Sequence, residues 1–413
     1  MDYYISQFGK DSNTGISLQH PWRSIDRINN TRLNPGDSVW FQAGQTFKGN
    51  VTLFDLGVEY SAEPIIFRSY GEGKATIDAG TGSGFLCSNT NGVHVIDLKI
   101  IGDGIDNNNG SGICFFNTLP GHKKLSNILV DKVEVAGFKQ TGICIGADPI
   151  DGTWSGFRNV KITHAIIHDN GDAGVNCYGV WNPEDKGYSH QDIYIGYCRV
   201  YRNDGLVEKE THTGNGIVLG QVNVGTIEYC LAYENGKLNS SEEGGPVGIW
   251  TWDSNRVLIQ CNESHHNRTG SGKDGGGFDL DGGVRNSIVQ NNYSHDNDGA
   301  GFLLAQFGGA RAYNRNVIRY NLSENDGRKN AYGGIHVWST GANGGIRDTT
   351  IYQNMVITSV AENGDPVAVD CISEGIHNIR FYNNTFITEG KVSHIRCKAN
   401  SAVIFEDNSC LIN

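Results

Sequence analysis

Proline and methionine are scarce in this 413-residue sequence, at 8 and 2 residues, and its ten cysteines include no Cys-x-x-Cys pair. The first scarcity excludes collagen-like and proline-rich disordered chains, and the missing pairs exclude zinc ribbons and dithiol redox motifs. No apolar run approaches the ~18 residues of a spanning helix. The Met1-Asp2-Tyr3-Tyr4 start has neither the charged nor the apolar region of a signal peptide. Basic runs are missing too. Lys+Arg number 33 against Asp+Glu 45, a net charge of −12, so neither nucleic acid nor a membrane is expected as a partner. Glycine is what the chain has in quantity, 56 residues, about twice its usual ~7% share.

The glycines punctuate a repeat. Ile162, Ile195, Ile227, Ile259, Val289 and Val317 are each followed eight positions later by an asparagine: Asn170, Asn203, Asn235, Asn267, Asn297 and Asn325, at intervals of 33, 32, 32, 30 and 28. After each block comes a Gly-apolar-x-apolar stretch, as in Gly216-Ile-Val-Leu219, Gly248-Ile-Trp-Thr251, Gly277-Phe-Asp-Leu280 and Gly334-Ile-His-Val337. Period-two alternation with Gly/Asn punctuation predicts short strands. No single unit can bury its apolar row, so the units must stack, each strand pairing in parallel with its equivalent one coil away at ~4.8 Å. The prediction is an all-β, single-stranded parallel β-helix forming one domain over 1–413, with a cap and first coils over 1–80 and Asn-ladder coils over 81–413.

Stacked asparagines tolerate left-handed turns and can bond one another along the rod. The same spacing argument makes Cys198, Cys230 and Cys261 one column and Cys114, Cys144 and Cys177 another, reduced and packed between coils. His168, His265 and His295, each two residues before a ladder asparagine, share a column with Tyr201 and Tyr233 and take a structural role. Trp22, Ile25 and Ile28 fall on one helical face, which predicts a capping helix near residues 22 to 30 over the exposed strand edge.

This pattern resembles the right-handed parallel β-helix carbohydrate-active enzymes, the pectate-lyase-like superfamily, over almost the whole chain. That scaffold hosts lyases, hydrolases, epimerases and adhesins, so the likeness implies the fold more than the chemistry. Asp274-Gly-Gly-Gly-Phe-Asp279-Leu-Asp281-Gly-Gly is similar to the Asp-Gly-Asn-Gly-Phe-Lys-Leu-Gly-Gly stretch of the family 9 pectate lyases, whose lysine is the base. Here Asp279 replaces that lysine. The acidic calcium cluster expected one coil earlier is also missing from Gly245-Pro-Val-Gly-Ile-Trp-Thr-Trp-Asp253.

In the Gly-apolar-x-apolar strands the apolar residues point inward and the intervening ones outward. The outward positions run Cys144, Asn176, Val218, Trp250, Asp279, Leu303, His336 in one column and Gly146, Tyr178, Gly220, Trp252, Asp281, Ala305, Trp338 in the next. Aromatic rings beside carboxylates are what a glycan site needs, because sugar C–H faces stack on rings while acids exchange protons. Asp279 and Asp281 are the expected catalytic pair, Asp279 as nucleophile or base and Asp281 as acid, with His336 as a further proton carrier. Tyr178, Trp250, Trp252, Trp338, Asn176, Asp274 and Arg311 are expected to bind substrate.

The leading expectation is a glycoside hydrolase cleaving a polysaccharide or oligosaccharide, with no required cofactor. A calcium ion on Asp279 and Asp281 is the alternative occupant. A polysaccharide lyase would instead need His336 or Lys273 as base and Arg311 or a metal to neutralise a uronate. A non-catalytic glycan-binding β-helix is the third reading. Large glycans are degraded outside the cytoplasm, so a secreted or periplasmic bacterial protein is expected. Sugar, linkage and oligomeric state are left open.

Overall fold

The computed structural model describes residues 1–56, 63–181, 187–398 and 402–413. Its contacts divide the chain into two compact units, residues 1–180 with 188–199, and residues 181–187 with 200–413. Each unit is a parallel β-solenoid with three sheets running along it. In the first unit one sheet stacks Asp2–Ile5, Ser38–Gln42, Ile65–Tyr70, Val93–Ile96, Lys124–Asp131, Gly156–Thr163 and His190–Gly196 in that order. In the second unit the sheet that carries the candidate site stacks Asn215–Gly220, Val247–Trp252, Gly276–Asp281, Phe302–Gln306, Gly333–Ser339, Val367–Cys371 and Ile395–Cys397. All of these neighbours pair in parallel.

One coil of the second unit shows how the sequence makes the fold. Val257 and Ile259 of strand Asn255–Gln260 point inward and are buried. Cys261 then turns the chain at φ 55°, Asn262 enters the interior, and strand Glu263–His265 begins. His266 repeats the turn at φ 53°, Asn267 enters the interior, and after a loop strand Gly276–Asp281 buries Phe278 and Leu280. Gly277 is required by close approach, because a Cβ there would collide with the Ser294 hydroxyl of the next coil. Inside, the Phe278 and Phe302 rings stack at 5.1 Å.

The asparagine ladder is present, and it is doubled. In one ladder Asn203 bonds Asn235, Asn235 bonds Asn267 and Asn267 bonds Asn297, each Nδ2 donating to the next Oδ1 at 2.9 to 3.0 Å. A second runs through Asn262, Asn292, Asn321, Asn354, Asn384 and Asn408 at 2.8 to 3.0 Å. Each buried amide finds its partners on neighbouring coils, where an unmatched one would cost ~1–3 kcal/mol.

Several column assignments shift by one residue. The first ladder continues from Asn297 into Asp326, not Asn325, which takes the left-handed turn at φ 52°. The left-handed residues are those preceding the ladder asparagines, not the asparagines themselves. Cys230 stacks on Asn262, its N–H donating to Oδ1 at 2.8 Å, so Cys261 lies outside the cysteine column. Cys114 registers with Cys144, but Cys144 registers with Asn176, and Cys177 instead faces Ile145. Equal spacing identifies a column only where coil length is constant. No disulfide joins the described cysteines.

In the N-terminal cap Trp22, Ile25 and Ile28 are buried as expected, but the helix is shortened to Ile25–Asn29, and Trp22 precedes it in a bridge to Ile5. Its start is set by Ser24, whose hydroxyl accepts from the Arg27 N–H at 3.3 Å, while the Asp11 carboxylate accepts from the N–H groups of Arg23 and Ser24 at 2.9 Å. The aromatic column is also as expected, with Tyr201, Tyr233, His265 and His295 stacked ring on ring at 4.6 to 5.1 Å.

Candidate active site

On strand Gly276–Asp281 the inward Phe278 and Leu280 leave Asp279 and Asp281 on the opposite face. Strand register fixes their neighbours. Asp279 stands between Trp250 and Leu303, Asp281 beside Trp252, and the column continues from Leu303 through His336 and Asp370 to Arg396.

Asp279 is only 4% exposed. One side of it is closed by the cluster of Val218, Val247 and Trp250, the other by Ala300, Leu303 and Ala305 with Tyr332 packed against them. Its Oδ1 is enclosed and has no hydrogen-bond partner among the described residues. Burial, reinforced by Asp281 and Asp274, holds its pKa far above the usual carboxylate range.

Asp281 is half-buried and accepts the Gly282 N–H at 2.7 Å. Burial pushes its pKa up to about 7, with the Gly282 donor opposing and Asp274 adding. Asp274 enters the same strand from a left-handed position, φ 45°. Its Oδ2 accepts the Gly245 N–H at 2.8 Å and its Oδ1 accepts the Tyr332 hydroxyl at 2.9 Å, while the same hydroxyl oxygen accepts the Asp274 N–H at 2.9 Å. Burial raises its pKa against these two donors. Three carboxyl groups coupled in this way cannot all ionise near neutral pH, so the cluster retains a proton.

The indoles divide. Trp250 is buried, its Nε1 donating to Asn215 Oδ1 at 3.0 Å and its ring meeting His212 edge-on at 5.0 Å. It walls Asp279 rather than offering an open stacking face. Trp252 is half-buried and lies across Gly220, where a Cβ would collide with the ring. Trp338 is 40% exposed. Beside Asp281, Phe307 rests on Gly282, and Trp181 packs on Phe307 at 6.1 Å.

The remaining expected residues lie elsewhere. Arg311 is buried, with Nε 3.0 Å from Asp253 Oδ1 and Nη1 donating to the Gly187 carbonyl at 2.7 Å, so it holds a loop to the scaffold. His336 is 9% exposed, packs against the Tyr332 ring at 4.9 Å and lies 3.8 Å from Asp370 Oδ2. Burial pushes its pKa down to about 4. Leu303 separates it from Asp279 along the column. Asn176 and Tyr178 belong to the first unit, on strand Ala173–Tyr178, where the Tyr178 ring covers Gly146.

The structure therefore brings Asp274, Asp279 and Asp281 together with Trp250 and Trp252. Tyr332, Asn215 and Phe307 complete this surround and escape sequence reasoning. Tyr332 had a signal, since it immediately precedes the Gly333-Gly334-Ile-His strand, as Asp274 precedes the strand of the aspartates.

No family profile matches the chain. Among curated proteins it is 23% identical to the lacto-N-biosidase of Bifidobacterium longum subsp. longum, over 85% of this chain and 27% of that protein. The chain thus spans about a quarter of the length of that relative. Among solved structures, the GH136 lacto-N-biosidase from Eubacterium ramulus superposes with a TM-score of 0.68 at 18% identity, over 100% of this chain and 68% of that one. The A-module of the Azotobacter vinelandii mannuronan C-5 epimerase AlgE6 follows with a TM-score of 0.61 at 16% identity, over 91% of each chain. These likenesses establish the parallel β-helix fold shared by this chain and those carbohydrate-active proteins.

Proposed function

We propose that this chain is a glycoside hydrolase acting on an oligosaccharide held over strand Gly276–Asp281. The observation that carries the reading is the trio of coupled carboxyl groups set among indole rings on one strand. Hydrolysis of a glycosidic bond needs one carboxylic acid to protonate the leaving oxygen and one carboxylate to attack the anomeric carbon or activate water. Asp281, half-buried and with its pKa pushed up to about 7, is the acid. Asp274 is the ionised partner, because two donors stabilise its charge. The base role expected of Asp279 moves to Asp274 because Asp279 has no donor on Oδ1 and is the hardest of the three to ionise. As a neutral acid it keeps the negative charge in the site low. The solved and curated relatives named lacto-N-biosidase support this reading.

A lyase is supported less well. Arg311 is engaged with Asp253, and the ionised Asp274 repels a uronate. No helix among the described residues is long and apolar enough to cross a membrane. We place the activity outside the cytoplasm, where such glycans are met.

The test is incubation with a panel of neutral, uronic and sulfated oligosaccharides, following reducing ends and unsaturated-product absorbance together. New reducing ends without the absorbance are expected, and these reducing ends should vanish in Asp281→Asn and Asp274→Asn. Unsaturated products would make the protein a lyase, and binding without either signal would make it a lectin.

A further inference from the structure

A second cluster of chemically active side chains lies on another sheet of the second unit. His265 and His295 end the neighbouring strands Glu263–His265 and Tyr293–His295, in register and stacked at 4.6 Å. Stacking accounts for these two rings but not for His266. That residue sits in the left-handed turn and stands its ring at 89° to both, at 5.0 and 5.7 Å. Its Nδ1 faces the Nδ1 of His265 at 2.8 Å. Two imidazole nitrogens that close must share a proton or a cation. One nitrogen from each of the three rings lies within 4.8 Å of the other two, and all three residues are half-buried, so the group is reachable from solvent.

Carboxylates complete the surroundings. Asp296 Oδ2 lies 2.8 Å from His295 Nδ1, and Glu263 Oε1 lies 3.2 Å from His295 Nε2 and 4.0 Å from His265 Nε2. Three imidazoles beside two carboxylates suit a dication. Such carboxylates fix the ring orientation and tautomer of the histidines that bind a metal. The His-His pair is confined to one coil. The equivalent dipeptides are Tyr233-Glu234 before it, His295-Asp296 after it and Glu324-Asn325 beyond.

We propose that His265, His266 and His295 bind a divalent first-row transition metal of the zinc class, fastening two consecutive coils. Imidazole donors select such ions over calcium and magnesium, which take oxygen ligands. Asp296 and Glu263 place negative charge beside the three rings. The site is independent of the glycosidase reading, since none of its residues belongs to the carboxylate trio.

The experiment uses the untagged 413-residue chain, treated with chelator and dialysed, then titrated with Co²⁺ while visible d–d absorption is followed. Saturation at one equivalent is expected, with the bands bleached by Zn²⁺ but not by Ca²⁺ or Mg²⁺, and with a higher melting temperature for the loaded protein. His266→Asn, which keeps a residue tolerant of the left-handed turn, and His295→Gln should each abolish the spectrum while retaining the cooperative thermal transition. Asp281→Asn should leave it intact. Failure of the wild type to give a saturable spectrum would overturn the proposal, as would a spectrum that persists in both histidine variants.

Discussion

Replacing Asp281 with asparagine separates stability from activity in a way that only a functional carboxyl predicts. The carboxyl titrates at about 7 in the folded chain against an ordinary 3.8, because burial and Asp274 disfavour its charge. Between those two values the folded state holds a proton that the unfolded state has lost, so stability falls as pH rises through this window. Each pH unit of displacement corresponds to about 1.4 kcal/mol, which makes the full displacement worth about 4 kcal/mol. The residue is half-buried, so solvent screens part of this, and we expect a penalty of about 2 kcal/mol above pH 7. Asparagine keeps the size and the acceptor for the Gly282 N–H but carries no charge. Asp281→Asn should therefore match wild type at pH 4 and exceed it by about 2 kcal/mol at pH 8, while turnover falls by roughly 10³-fold or more. Urea denaturation at both pH values, beside initial rates on the cleaved oligosaccharide, measures the pair. A stability difference that stays flat with pH, or a variant less stable at pH 8, would refute the argument.

Further expectations follow from the same geometry. Gly220→Ala places a methyl group where the Trp252 ring lies and should raise KM more than it lowers kcat, read from steady-state kinetics. Asn267→Leu removes the amide linking Asn235 to Asn297 and should cost at least ~2 kcal/mol in urea denaturation, with the activity of the folded fraction kept. Arg311→Met strips Asp253 of its ion partner. Asp253 already titrates at about 6, raised by burial against the opposing Arg311 and Arg285, so the loss should reach ~3–5 kcal/mol at pH 8 and shrink toward pH 5 as that carboxyl protonates. Chelator treatment should leave hydrolysis unchanged, as measured by reducing ends, because the proposed proton transfers use carboxyl groups alone.

The coil was legible because its information is local and repeated. Stacked strands leave each inward position the same choice in every coil, so Ile227, Ile259 and Val289 recur at the buried position as a visible period, although the next buried residue is Ile318 and not the Val317 that the period points to. The second asparagine ladder is harder to read because Cys198 and Cys230 stand near its start, where thiols bonded to backbone carbonyls replace the amide. Register errors arose where two polar residues meet at a turn. Asn325 and Asp326 both suit such a turn, and only the hydrogen bond from Asn297 shows which one faces inward.

The site was legible to the degree that it lies on the strand itself. Alternation alone placed Asp279 and Asp281 on one face and set Trp250 and Trp252 beside them, because both follow from backbone geometry. What alternation cannot supply is how deeply each group is covered. Outward on a strand means exposed only where no loop returns over it. The chain preceding Gly333 brings Tyr332 back across 58 residues of sequence to bond Asp274, closing Asp279 beneath Leu303. In the proposed division of roles that contact is central, since the hydroxyl donates to Asp274 and the ring packs against the cluster beside Asp279. Tyr332→Phe therefore tests the division of roles directly. It retains the ring packed on His336 and Leu303 but removes one of the two donors to Asp274, so the carboxylate should become harder to ionise. The acidic limb of the kcat/KM profile should move to higher pH, by about 1 unit for the loss of one charge-assisted hydrogen bond of ~1.5 kcal/mol. A profile whose acidic limb stays in place would remove Asp274 from the ionised role and return it to Asp279.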